Sequence, residues 1–326
     1  MILCVSLNPA VDKMVKIHNI SIGKVNRATV ESVHAGGKAI NVAFDLQVQG
    51  EKAMVTGFVG GRTGSMITEE LKRREMGYEF IALSTETRTN MNYIDDKGNI
   101  TEILEAGHLV DAESERDFIT LYRRLLKKSD MVVLSGSLPI GLNDDIYKVL
   151  IEMANKANVP VALDTSGEAL SKGIQSIPFI IKPNLSELEN LTNHKYDLSA
   201  LDRGIEAFFA SSAFEKVLLS DLFELQNKGI VVICITFGEK GLLLMVKNKV
   251  VFCMPPEVSV INTVGSGDCV LASLIHSLQK KADIVDTARY ATAVSAAHVT
   301  TMNVADIDPA SVSKIMQGIQ YGVYQI

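Results

Sequence analysis

Short apolar runs alternate with amphipathic stretches through most of the chain. Residues 2–7, 53–60, 131–134, 159–163, 179–181 and 229–235 are nearly continuous in Val, Ile, Leu and other apolar residues. Such runs predict strands buried on both faces, as in a parallel sheet covered by helices. Between them apolar residues recur at helical spacing, into Arg74, over 114–128, from Val270 onward and over 282–300, with a further helix after Asp308. Two stretches break this rhythm. Residues 13–34 alternate weakly around a turn at 21–23, and the extended runs 87–95 and 100–105 flank Asp96-Lys97-Gly98-Asn99, a hairpin turn. Another hairpin is predicted at 242–253, whereas the connection 191–228 reads as polar and helical, with no function assigned. The pattern predicts an α/β fold, a doubly wound, mostly parallel sheet between helices with a small β-strand lid. One domain is expected over 1–326, with lid strands at roughly 12–34 and 87–106 inserted in it.

Composition narrows the function classes. With 326 residues and 47% apolar content the chain can bury a full core. Its net charge of −6 and its lack of a dense Lys/Arg run argue against a nucleic-acid partner. No apolar stretch is long enough to span a bilayer, so no membrane partner and a cytoplasmic location are expected. The four cysteines are scattered among apolar neighbours and the histidines form no i,i+4 pair, which disfavours disulfides and a zinc site.

The densest chemistry lies in Asn262-Thr263-Val264-Gly265-Ser266-Gly267-Asp268, which empties into an apolar helix. Gly265 and Gly267 let successive backbone N–H groups converge, and a helix N-terminus adds its own donors and dipole, so the turn can bind an anion. Asp268 inside that cup reads either as a first-turn helix acid or as a general base beside an anion hole. Ala35-Gly36-Gly37-Lys38-Ala39-Ile40-Asn41 is a second glycine turn opening a helix, and Ala39 is placed inside that helix. Asp12, past the end of the first strand, is either a turn residue or a ligand for hydroxyls. Arg27 and Arg88 are either solvated or hold a phosphate. Asn184 and Glu187 can cap a helix together, and can also hold hydrated Mg²⁺. No G-x-x-x-x-G-K-[ST] occurs, and Gly265-x-Gly267 lacks the third small residue of a dinucleotide-binding turn.

Taken together these motifs resemble the ribokinase-like (PfkB) carbohydrate kinases over nearly the whole chain, specifically their phosphosugar branch. Gly265-Ser266-Gly267-Asp268 is similar to the family's C-terminal motif, and Gly36-Gly37-Lys38 with Asn41 to its N-terminal one. The resemblance implies that Asp268 is the catalytic base, with Gly265, Ser266 and Gly267 stabilising charge on the transferred group. Asp12, Arg27, Gly36, Gly37, Lys38, Asn41, Arg88, Asn90 and Ser137 would bind the sugar phosphate. Lys182, Asn184, Thr236, Gly238 and Gly241 would face the nucleotide, and Asn184 and Glu187 would hold Mg²⁺ through water. It implies ATP with Mg²⁺ and a phosphorylated ketohexose as ligands, and a homodimer through the lid. Two motifs disagree on the sugar. Thr101-Glu102-Ile103-Leu104-Glu105 is similar to tagatose-6-phosphate kinases, while Thr165-Ser166-Gly167-Glu168-Ala169-Leu170 is similar to 1-phosphofructokinases. Another sugar kinase of the family, or a sugar-phosphate sensor without turnover, are the alternatives.

Overall fold

The computed structural model describes every residue except Asn303. The chain opens with β1 (Ile2–Ser6), β2 (Ala10–Ile17), β3 (Ala28–Gly36), α1 (Lys38–Val48), β4 (Ala53–Gly60), α2 (Gly61–Arg73) and β5 (Gly77–Leu83). It continues through β6 (Arg88–Ile94), β7 (Ile100–Leu104), α3 (Ala112–Leu126), β8 (Met131–Ser135), α4 (Ile146–Lys156), β9 (Val161–Asp164), α5 (Gly167–Ile174) and β10 (Ile180–Ile181). Next come α6 (Leu185–Thr192), α7 (Ile205–Phe209), α8 (Leu219–Asn227), β11 (Val232–Thr236), β12 (Leu242–Val246) and β13 (Lys249–Met254). The chain closes with α9 (Ser266–Gln279), α10 (Ile284–His298), α11 (Pro309–Gln317) and β14 (Gln320–Gln325).

Ten strands form one sheet in the order β14-β13-β12-β11-β10-β9-β8-β1-β4-β5. Neighbours from β11 to β5 pair in parallel, and β12, β13 and β14 pair antiparallel at one side. The continuous apolar runs have a direct cause. In β1, Ile2 and Cys4 enter the core on one face of the sheet while Leu3 and Val5 enter the other, and β8 repeats this with Met131 and Val133 against Val132 and Leu134. Both faces are covered by helices, so neither set of alternate side chains can be polar.

This topology also locates the site. From β1 the chain adds β4 and β5 on one side, then β8 to β11 on the other, so the winding direction reverses between β1 and β8. Ligands in open α/β sheets gather outside the carboxyl ends of the strands at such a reversal. A second sheet, β3-β2-β6-β7, stands over that end, with β2 and β6 parallel and Asp12 opposite Asn90. It exposes Val30, Ile103 and Leu104, and Ile22 and Val25 in the β2–β3 connection are also exposed.

The structure departs from the sequence reading in several places. The edge strands β5 and β14 fall outside the sequence reading; β14 carries no apolar run, and β5 has only a short one, Phe80 to Leu83, that is not fully buried. Helix α4 also falls outside the sequence reading. The 191–228 connection is not polar. Phe208, Phe209 and Phe214 are buried there and meet one another, with Phe252 against Phe208 and Tyr324 against Phe209 and Phe214. Its helices are short, and Phe214–Leu218 is wound as a π-helix, so the 3.6-residue period that would betray a buried helix is broken. Among the described residues no helix is long and apolar enough to cross a membrane.

Candidate active site

A cleft of about 1120 Å³ lies at the carboxyl ends of the strands, beneath the smaller sheet. It is lined by residues from β1 through α10, including every residue named above for the site except Arg27 and Gly36.

The glycine turn forms its floor. Gly265 caps α9 in the left-handed region, at φ +85°. The Ser266 amide donates to the Thr263 carbonyl, and those of Asp268 and Cys269 donate to Gly265. The amides of Gly265 and Gly267 have no carbonyl partner among the described residues. Of the four amides expected to form an anion hole, two are therefore already engaged.

Asp268 is buried at the first turn of α9 and accepts a 2.9 Å hydrogen bond from Asn41 Nδ2 on α1. Burial pushes its carboxyl up to about 6, opposed by the charge of Lys38, reinforced by that of Asp164, and lowered again by Asn41 and Lys182. Asp164, at the end of β9, is enclosed between two lysines. Lys38 Nζ and Lys182 Nζ each lie 3.3 Å from the same oxygen, Oδ1. Burial pushes Asp164 up, yet the two ammonium groups outweigh it and hold its carboxyl below the usual carboxylate range. In return Asp164 raises the Lys38 pKa, so Lys38 stays charged although half-buried. Lys182 reaches over the glycine turn: a methyl group added at Gly267 would sit 3.2 Å from its Nζ.

The other end of the cleft joins the smaller sheet to β1 and β8. Asn90 Nδ2 donates to Asp12 Oδ1 at 2.8 Å, across the register that pairs these residues. Arg88 is no solvated arginine. Its Nε and Nη2 donate to the Asn8 carbonyl at 3.1 and 2.9 Å, and Nη1 donates to the Glu105 carbonyl at 3.0 Å. A guanidinium has five N–H groups, so two remain for a ligand. Asn8 Nδ2 donates to Ser137 Oγ at 3.2 Å and to the Ala106 carbonyl at 3.1 Å. The turn before Ser137 is held by Tyr147 and Thr165, whose hydroxyls both donate to the Gly136 carbonyl.

Toward the opposite end Asn184 and Glu187 form a reciprocal capping box at the start of α6. Each spends one oxygen on the other's backbone amide, at 2.9 Å. Thr236, Gly238 and Gly241 follow around the wall, and Gly241 is required: at φ +107° an added Cβ would meet the Cys253 carbonyl oxygen at 1.9 Å. Among the described residues no group of three or more His, Cys, Asp or Glu could hold a bare metal ion. One free Glu187 oxygen beside the Asn184 amide instead fits Mg²⁺ that keeps its waters and takes phosphate oxygens.

Two expected ligands do not line the cleft. Arg27 lies exposed in the β2–β3 connection and does not line the cleft. Gly36 packs against Asp12: a Cβ there would overlap Asp12 Oδ2 at 2.0 Å. Asp164 and Asn8 are the residues that sequence reading passed over. Both follow or end a strand of the sheet, the placement that singles out Asp12.

A large parallel-centred α/β sheet with a β cover, and a glycine turn holding a buried acid in the cleft between them, define a ribokinase-like sugar kinase architecture. The chain belongs to the pfkB family of carbohydrate kinases, whose sequence profile matches residues 5–310. Phosphofructokinase-2 from Escherichia coli, solved in complex with substrates and products, is similar with a TM-score of 0.85 and 22% identity over 98% of both chains. The tetrameric inhibited form of that protein gives a TM-score of 0.84, with 22% identity over 97% of this chain and 98% of that one. A possible 1-phosphofructokinase from Thermotoga maritima gives 0.82, with 25% identity over 100% of this chain and 99% of that one.

Proposed function

We propose that the protein transfers the terminal phosphoryl group of ATP to a hydroxyl of a ketohexose monophosphate, yielding a bisphosphate. One observation carries this reading: a buried carboxylate, Asp268, sits beside two uncommitted amides and two lysines, in a cleft whose far end holds Arg88. Asp268 takes the proton of the attacking hydroxyl. The amides of Gly265 and Gly267, with the ammonium groups of Lys38 and Lys182, meet the charge of the phosphoryl group in transit. Asp12, Asn41 and Asn90 orient the sugar hydroxyls, while Arg88 and Ser137 hold the phosphate already on the sugar. Asn184 and Glu187 would hold Mg²⁺, which when bound neutralises the nucleotide phosphates.

Phosphofructokinases among the similar structures support a phosphorylated substrate. Tagatose 6-phosphate and fructose 1-phosphate are the two candidates, each supported by one motif. Comparing kcat/KM for both with ATP tests the proposal, and turnover of neither would overturn it. The exposed apolar residues of the smaller sheet support a homodimer formed through the lids. A monomeric mass at micromolar concentration with substrate present would contradict that.

A further inference from the structure

We infer that His298 is a positioning residue that aims the Gly265 amide at the transferred phosphoryl group, an inference that rests on the phosphotransfer reading above. His298 is the last residue of α10 and is 1% exposed. Its Nε2 lies 2.7 Å from the Val264 carbonyl oxygen. A carbonyl only accepts, so Nε2 carries the hydrogen and donates it. Nδ1 is buried with no partner among the described residues, and burial, only partly offset by the Val264 bond, holds the imidazole below the usual histidine pKa. The ring is neutral and spends its single N–H on Val264.

That bond has a directional consequence. The peptide joining Val264 to Gly265 is planar and trans, so its C=O and N–H point in opposite directions. Gripping the oxygen on one side fixes the aim of the hydrogen on the other. The hydrogen in question belongs to one of the two uncommitted amides of the anion hole. A hydrogen bond at the oxygen also polarises the peptide and makes its N–H a better donor. The imidazole backs the turn as well: a methyl group on Gly265 would lie 3.4 Å from Nε2 and 3.5 Å from Cε1.

The second uncommitted amide is treated alike. Ser295, one turn earlier on α10, donates from Oγ to the Ser266 carbonyl at 3.3 Å. The Ser266 carbonyl shares its peptide with the Gly267 N–H. Helix α10 thus holds the back of both peptides whose N–H groups remain free. It is tied to the same loop by the Ile261 and Asn262 amides, which donate to the Val299 carbonyl at 2.7 and 3.2 Å.

Two variants test this. His298→Leu removes the donor, and His298→Gln can present an amide N–H at similar reach. His298→Leu is expected to lower kcat by about tenfold or more while KM for ATP and for the sugar phosphate changes by less than about threefold. His298→Gln is expected to recover most of that loss, and the Gly265 amide resonance of the ligand-free protein should shift in the leucine variant and largely return in the glutamine one. A folded His298→Leu with wild-type kcat would overturn the inference. So would equal losses in both variants with KM rising in step, which is what a merely structural histidine predicts. If the wild-type protein turned over no sugar phosphate, the proposed function would fall instead. The Gly265 resonance and the affinity for ADP with aluminium fluoride, a planar stand-in for the phosphoryl group, would still decide here. Loss of that affinity in His298→Leu alone supports the role, and an unmoved Gly265 resonance with unchanged affinity overturns it.

Discussion

Asn41 Nδ2 donates to Asp268 Oδ2 at 2.9 Å, joining the first helix of the chain to the glycine turn 227 residues further on. This bond turns one carboxylate oxygen toward α1, and it stabilises the ionised form. Lys38, three residues before Asn41, adds its charge from the same helix. One glycine turn thus conditions the acid that the other turn presents.

Replacement of the acid is the first test. Asp268→Asn keeps the shape and still accepts from Asn41, but cannot take a proton. Turnover is expected to fall by about 10² to 10⁴ while ATP and sugar phosphate bind nearly as before. Steady-state kinetics together with calorimetric binding would check this. Near wild-type kcat in the variant would remove Asp268 from the mechanism.

The pH profile follows from the same residue. A base held near 6 is protonated as pH falls through that value, so kcat/KM should decline with unit slope below about pH 6, well above the range of a solvated aspartate. The charge of Asp164 raises that value, so Asp164→Asn should move the acid limb to lower pH as well as lowering kcat. An acid limb that stays in place in this variant would mean that the two carboxylates do not interact.

Arg88 offers a test that treats the two substrates separately. Arg88→Ala is expected to raise KM for the sugar phosphate by about tenfold or more, with KM for ATP within about twofold. Because Arg88 also binds the carbonyls of Asn8 and Glu105, Arg88→Lys is the sharper variant: it keeps the charge and loses the fork. Varying each substrate in turn distinguishes phosphate binding from general loosening, which would raise both KM values.

Asp45 gives a stability prediction. It is fully buried on α1 beside the Cys269 thiol, whose hydrogen bond only partly offsets the burial that pushes its carboxyl up to about 8. The folded chain therefore holds this proton more tightly than the unfolded chain. The stability it contributes is full below about pH 4 and is lost as pH rises from there through 8. Asp45→Asn cannot ionise, so its melting temperature should gain on the wild type as pH is raised from 5 to 9. Parallel melting curves across that range would show instead that Asp45 is already ionised when folded.

The core strands and both glycine turns were legible because their determinants are local: apolar continuity for the strands, and glycine beside a polar side chain for the turns. Asn184 and Glu187 were legible for the same reason, since a capping box spans four residues. Asp164 was not. Its role depends on Lys38 and Lys182, brought to one oxygen by the sheet, and no spacing in the chain records that. Arg27 is the opposite case, since it does not line the cleft. Sequence marks a basic residue beside a turn, but where its loop places it depends on the fold. The phenylalanines of 191–228 were obscured by short helices and by a π-wound segment, which remove the period that exposes a buried face.

Those phenylalanines bear on how the protein is made. Phe209 and Phe214 complete their contacts only with Tyr324, from the last strand of the sheet, and Phe208 needs Phe252. During synthesis the 205–218 segment is therefore finished while more than a hundred residues that include its partners are still to come. The nascent chain carries an aromatic cluster whose cover is incomplete, which is the condition under which chaperones engage a growing polypeptide and under which premature release leads to aggregation.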